Sequence, residues 1–293
     1  MVVTNIVYKD GFGENLKFII YTMMYSEYVR EEFYYTPFND LLEHNYDNDA
    51  DFIEKKERLL DIINHYPTVK NNIDYKTFGK FDLLYFFENN IEFCSNSQTL
   101  KRLKIIFREA NKNRFDKSHL NIAIHIRRMN VLDIQKNTNF KQIPGTDVPN
   151  ELYKTIISQF RQNYKDSFIH VYSQGDEKDF NFGDDVILHL NTCLEETFID
   201  LVYADIVVIA PSSFSYSAGL LSDGIVYFID SCNTSLPSWN VIQNYTSTKK
   251  KHLLFIRKSP THKITVYYDA KCGQFYKEDE AEIRTYINIY EYL

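Results

Sequence analysis

The chain has 293 residues, 44% of them hydrophobic and 25% charged, and carries a formal net charge of −7. That leaves room for two domains of ordinary size, or one large α/β domain, with enough apolar residues to exclude global disorder. The negative balance excludes an electrostatic grip on nucleic acid, which needs a basic domain or stripe, so any phosphate bound here must be held by local groups.

No run of about 18 apolar residues marks a membrane-spanning helix, and the longest candidate, Leu16 to Met24, is too short. The basic, apolar and small-residue parts of a secretory signal are missing from the N-terminus, so a cytosolic location is expected. Cys94, Cys193, Cys232 and Cys272 lie far apart and read as free thiols rather than a zinc or redox motif. The 16% aromatic content, mostly Tyr and Phe, reads as a coding bias and is assigned no function.

In chain order, Val2 to Tyr8 reads as a strand, which breaks at Lys9-Asp10-Gly11-Phe12-Gly13 before helical periodicity from Asn15 onward. Tyr34 to Asp49 is irregular and acidic. Helical spacing returns over Asp51 to His65 and again over Ser97 to Lys112, with Ser97 as N-cap. From Leu120 short apolar strands alternate with helices, the rhythm of a parallel sheet covered on both faces. The strands are Asn121 to Arg127, Phe168 to Ser173, Asp185 to Leu190, Asp205 to Ala210 and Ile225 to Ile229. Helices fall at Asn150 to Tyr164, Leu194 to Tyr203 and Phe214 to Ser222. The expected fold class is therefore α/β, with a clear Rossmann-like second half. The polar stretch Asn113 to Lys117 places a boundary between an acceptor-side domain over 1–115 and a donor-binding domain over 116–293, whose last segment could return to the first.

Ligands in open α/β sheets bind beyond the carboxyl ends of strands, and two such ends carry chemistry. The first is His125-Ile126-Arg127-Arg128. Strand alternation puts His125 and Arg127 on one face and Arg128 on the other, so Arg127 is the better phosphate ligand. The alternative is a salt-bridged strand terminus. The second is Pro211-Ser212-Ser213-Phe214-Ser215, where a strand breaks into hydroxyls as a helix begins. Free amides and the helix dipole there suit a phosphate, although ordinary N-capping gives the same pattern. Gly11 and Gly13 make a turn that lets backbone approach a ligand but lacks the third glycine of the dinucleotide fingerprint. Asp176, after Tyr172-Ser173-Gln174-Gly175, is placed to accept from a base or ribose, or to sit in a plain turn.

These segments resemble the fucosyltransferase superfamily of GT-B fold, including α-1,2- and α-1,6-fucosyltransferases and bacterial, algal and giant-virus relatives. His125-Ile126-Arg127-Arg128-Met129-Asn130 is similar to that family's His-x-Arg-Arg-Gly-Asp. Ala204-Asp205 through Ser212-Ser213-Phe214-Ser215-Tyr216 is similar to its Ala-Asp, apolar strand and Ser-Ser-Phe-Ser, and Gly11 to Asn15 to its Gly-x-Gly-Asn turn. The chain departs from the family at Met129-Asn130 and at Glu14, which stands before or in place of the asparagine. The resemblance implies two Rossmann-like domains facing across a cleft and an inverting, metal-independent transfer from GDP-fucose, or another nucleoside diphosphate sugar, to a glycan acceptor. It puts Arg127 on the β-phosphate, Ser212 to Ser215 around the nucleotide, and His125 and Asp176 near the nucleoside. The location would be the host cytoplasm for a viral protein. No cofactor or metal is expected: the overlapping Asp47-Asn48-Asp49 and Asp49-Ala50-Asp51 follow no apolar strand and read as a solvated loop and helix start. Transfer needs a base for the acceptor hydroxyl. Glu14 and Asp10 are the candidates, with solvated turn residues as the alternative reading of both.

Overall fold

A computed structural model describes residues 2–45, 48–128, 148–231 and 233–242, and the backbone of four further strands between 255 and 287. In the first unit, β1 (Val2–Thr4) is the centre of a small parallel sheet, flanked by β2 (Glu32–Tyr34) and β3 (Tyr75–Lys76). Between β1 and β2 runs α1 (Phe12–Val29), which starts after the extended Gly11 and stops where Arg30 turns left-handed at φ 58°. It is buried nearly all round, from Phe12 through Met24, as expected of a helix apolar on every side. Then come α2 (Phe52–Leu60), α3 (Lys80–Asn89), α4 (Ile91–Asn96) and α5 (Gln98–Ala110).

The second unit contains β4 (Leu120–His125), α6 (Asn150–Asn163), β5 (Ser167–Ser173), β6 (Val186–Leu190) and α7 (Leu194–Tyr203). It continues with β7 (Ile206–Ile209), α8 (Ser213–Leu221), β8 (Ile225–Ile229) and β9 (Asn240–Ile242). All six strands are parallel, in the order β6-β5-β4-β7-β8-β9. This is the doubly wound order: the chain builds outward from β4 in one direction, then returns to β7 and builds in the other. Ile122, Ile124, Ile169, Val171, Ile206 and Val208 face α6 in one core. Ala123, Tyr172, Val207 and Ile209 face the opposite way, toward α7 and α8.

That second core does not stop at the sheet's helices. It continues through Phe198 and Tyr216 into Phe12, Leu16 and Tyr21 of α1 and Leu103 and Phe107 of α5. Polar ties cross the same seam. Tyr21 and Tyr216 share a hydroxyl hydrogen bond of 2.9 Å, Tyr203 Oη donates to the Asn111 carbonyl at 2.6 Å, and buried Lys56 pairs with Glu195. The domain division expected at 115/116 falls in the polar turn between α5 and β4, while the hydrophobic contact spans it. Beyond β9 an antiparallel meander runs through β10 (Phe255–Lys258), β11 (Lys263–Asp269), β12 (Gln274–Glu278) and β13 (Arg284–Ile287). Its backbone brings β13 beside α3.

The expected strands and helices of the second unit are present with ends shifted by a few residues. The first unit differs more. Its opening helix starts at Phe12 rather than Asn15, and the one expected over 51–65 ends at Leu60, because Asp61 turns left-handed at φ 55°. Ser97 does cap α5, its Oγ accepting the Leu100 N–H at 2.9 Å.

Candidate functional site

A doubly wound sheet leaves a crevice where adjacent strands send their connections to opposite faces. Here that point lies between the carboxyl ends of β4 and β7, and both motif segments stand on it. Past β4, the Ile126 N–H still bonds to the Tyr172 carbonyl at 2.9 Å, so the pleat carries on and Arg127 leaves the sheet on the α7/α8 face. Its Nη1 donates to Ser212 Oγ at 3.5 Å, just before α8. The Arg127 Nε is buried with no acceptor for its N–H, and Nδ1 of His125 is buried with no hydrogen-bond partner. Among the described residues Arg127 forms no ion pair. A guanidinium with an idle donor, beside the amino end of a helix, is suited to an anion.

His125 lies 5.5 Å, ring to ring, from Phe214. Burial first, and the Arg127 charge second, push its pKa down to about 3, so it is neutral and unable to add a positive charge near pH 7.

The glycine turn meets this site directly. At Gly13, a Cβ would stand 2.3 Å from both the Cα and N of Phe214, so α1 and α8 touch through backbone at their amino ends. Ser217 Oγ reinforces the contact by donating to the Gly13 carbonyl at 2.9 Å. At Gly11 the space is filled by the His44 ring, 2.5 Å from where a Cβ would be. Glu14, in the first turn of α1, accepts from Ser213 Oγ at 2.5 Å, pairs with Lys17 at 2.8 Å and with Lys80 at 3.3 Å. Lys80 also pairs with Asp10 at 2.9 Å, and Lys17 donates to Asn233 Oδ1 at 3.2 Å. Burial pushes the Glu14 carboxyl up, but Lys17 and Lys80, with the hydrogen bonds from Lys17 and Ser213, outweigh it and hold the pKa at about 2.

Several expected ligands therefore have other work. Glu14, so weakly basic and so fully paired, is a poor acceptor for a hydroxyl proton. Asn15 is fully buried, and its amide braces the glycine turn by accepting from Tyr8 N and donating to the carbonyls of Tyr8, Asp10 and Gly11. Arg128 points to the α6 face, where it donates to the Val148 carbonyl and Asn150 Oδ1 and lies over the Phe180 ring. Ser215 is buried and bonds within its own turn, and Phe214 packs among Phe12, Phe198 and His125. Asp176 is 71% exposed and pairs with Lys178. Asp205 sits at the far, amino end of β7, accepting the Asn121 N–H at 2.8 Å.

Arg127, Ser212, His125, Gly11, Gly13 and Asp10 remain grouped around the crevice and the turn that abuts it. Asp10 keeps an exposed edge, its side chain 41% accessible. Lys17, Lys80 and Asn233 escaped the sequence reading. The signal for Lys17 was the one basic residue inside a largely apolar helix; Lys80 and Asn233 had none.

Asp49 accepts the Asp51 N–H and pairs with Lys55 at the start of α2, while Asp47 and Met129-Asn130 lie outside the described residues. Cys94 and Cys193 are free thiols; Cys232 and Cys272 also lie outside the described residues. No cluster of three His, Cys, Asp or Glu able to hold a metal occurs among the described residues, and no helix there is long and apolar enough to cross a membrane. A cavity of about 440 Å³ lined by Arg161, Tyr164, Lys165, Phe168 and Ile187 lies at the amino ends of β5 and β6, the opposite end of the sheet from Arg127.

No family model matches the chain, and no curated protein matches it. Among solved structures, it is similar to the E. coli heptosyltransferase WaaC with ADP-2-deoxy-2-fluoro heptose at a TM-score of 0.42 and 11% identity, over 83% of this chain and 93% of that one. The dodecameric iron-containing heptosyltransferase TibC in complex with ADP-D-beta-D-heptose gives a TM-score of 0.41 and 13% identity, over 83% of this chain and 62% of that one. Identity and TM-score are both low, so the chemistry must be judged from the geometry of the crevice itself.

Proposed function

We propose that the protein is a glycosyltransferase using a nucleoside diphosphate sugar, with the leaving diphosphate held between Arg127 and the amino end of α8. One observation carries this reading: the Arg127 guanidinium stands at the switch point of a doubly wound sheet with its Nε unpartnered and Ser212 Oγ beside it. In the transfer, an acceptor hydroxyl attacks the anomeric carbon while the bond from that carbon to the β-phosphate oxygen breaks, its electron pair leaving with the diphosphate. A single displacement of this kind inverts the anomeric centre. Arg127, Ser212 Oγ and the first-turn amides of α8 offset the charge that builds on the leaving group, the role a metal plays elsewhere. Asp10, with an exposed carboxylate edge, is the better placed of the two expected bases. The motif likeness favours fucose from GDP-fucose to a glycan hydroxyl.

Calorimetry with GDP, UDP and ADP in the presence of EDTA tests the proposal. Binding of at least one, weakened ~10- to 100-fold by Arg127→Ala, is expected from loss of a charge-assisted hydrogen bond worth about 1.5–3 kcal/mol. No binding of any, or an unchanged affinity in the variant, refutes it. A second reading, a binding module without turnover, is favoured by the pairing of Glu14. Release of sugar or its transfer from a donor panel, lost in Arg127→Ala, rejects that second reading.

A further inference from the structure

The serine turn divides its hydroxyls between a guanidinium and a carboxylate. Ser212 Oγ lies toward Arg127, whereas Ser213 Oγ is already committed to Glu14 across the seam. Glu14 is held in turn by Lys17, which is itself buried and reaches Asn233, and by Lys80. Gly13 and Phe214 are in backbone contact one residue away on each side. Ser213 Oγ donates its proton to Glu14 and receives Lys17 Nζ at 3.5 Å, so its donor is spent within the seam.

We infer that Glu14 is a positioning residue, which fixes the first turn of α8 through Ser213 so that Ser212 Oγ and the adjacent amides face the anion held by Arg127. This rests on the nucleoside-diphosphate reading above. The physical basis is direct. A helix start leaves its first N–H groups without intrahelical partners, and the cap residue of α8, Ser212, makes no side-chain capping bond, its hydroxyl meeting Arg127 instead. Glu14 supplies the restraint from outside, as a carboxylate bonded to Ser213 at the positive end of the helix. Because the restraint arrives from the first unit, the order of the phosphate-binding turn depends on the seam being intact. The Glu14 carboxylate is matched by buried Lys17, which keeps the local charge balanced.

A double-mutant cycle on GDP affinity, measured by calorimetry on the full chain alongside Tm, tests this. Glu14→Ala and Ser213→Ala are each expected to raise Kd about tenfold, and the double variant no further than twofold beyond either, since both remove one link. Additive effects overturn the inference, because Ser213 would then touch the ligand itself. A fall in Tm with Kd unchanged also overturns it, since Glu14 would only cement the seam. If Glu14→Ala does not fold, Glu14→Met, of similar volume but with no oxygen to accept from Ser213, replaces it in the same cycle with the same tenfold loss expected, and an unchanged Kd in that variant overturns the inference; Glu14→Gln, whose amide oxygen still accepts, is expected to keep a near-wild-type Kd, and a tenfold loss there counts against the hydrogen bond. Wild type that binds no GDP, UDP or ADP removes the donor reading and this inference together, whereas wild-type binding with unaltered variants removes only this one.

Discussion

Replacing Gly13 with alanine tests whether the seam is as tight as its backbone contact implies. The new Cβ would meet the Phe214 Cα and N at 2.3 Å and the Ser213 carbonyl carbon at 2.7 Å. These are backbone atoms, so no side-chain rotation relieves the clash, and one helix must retreat. Overpacking a core costs about 1–3 kcal/mol, and a contact made to backbone belongs at the upper end. Retreat also strains the Ser217–Gly13 hydrogen bond of 2.9 Å, worth about 1 kcal/mol. Removing a glycine from a helix returns about 1 kcal/mol. The net loss is about 3 kcal/mol, or roughly 6–12 °C in Tm for a domain of a few hundred residues. Gly11→Ala is the control, because its Cβ meets only the ring of His44, an exposed side chain that can swing aside. Calorimetric scans and urea titrations of both variants measure the difference. Equal stabilities for the two, or a Gly13→Ala loss under about 0.5 kcal/mol, refute a closed seam.

Three further outcomes are expected from the same geometry. Glu14 has its folded pKa depressed from 4.5 to about 2, so its stabilising contribution is complete above 4.5 and disappears as pH falls through about 2; Glu14→Gln should flatten the stability-pH curve in that window, read from urea midpoints. His125 is also depressed, from 6.5 to about 3: the unfolded chain takes up the proton first, so stability falls as pH drops from 6.5 toward 3, and His125→Asn should lose part of that slope while His170, depressed to about 4, and His189, also lowered by burial, keep their own parts of it. Glu195→Ala strands Lys56, whose side chain is only 3% exposed, at the α2–α7 contact and should cost several kcal/mol, about 3–5 for an uncompensated buried charge; Glu195→Ala with Lys56→Met should recover most of it, and a cycle showing no coupling in chemical denaturation contradicts the pairing.

The second unit was legible in the sequence because its strands are short apolar runs between turn residues, and strands buried on both faces need nothing more. Face alternation also separated Arg127 from Arg128 correctly, since it depends only on the pleat. The first unit resisted for physical reasons. β2 and β3 are three and two residues long, too short to show a period. Helix α1 is buried all round, so the polar stripe that marks a helix's start is absent, and α3 and α4 meet end to end at Asn90 without a break in composition. Asn15 and Ser215 both bond to nearby backbone, which their sequence does not reveal: residue type tells that a polar group needs a partner, and only the fold tells whether the backbone supplies it.

On the proposed reading, the seam accounts for an anion bound on one side of the serine turn and a carboxylate resident on the other. Backbone contact at Gly13 brings the amino ends of α1 and α8 together, and two positive helix ends at close range repel unless negative charge lies between or beside them. Glu14 answers that need on the side facing Lys17 and Lys80, where every charge has a partner. On the side facing β4 the balance is different. Arg127 adds a full positive charge, His125 is neutral, and no carboxylate among the described residues pairs with the guanidinium. A buried donor left idle costs about 1–3 kcal/mol, and on the proposed reading that cost is recovered when the leaving diphosphate binds at the switch point between β4 and β7.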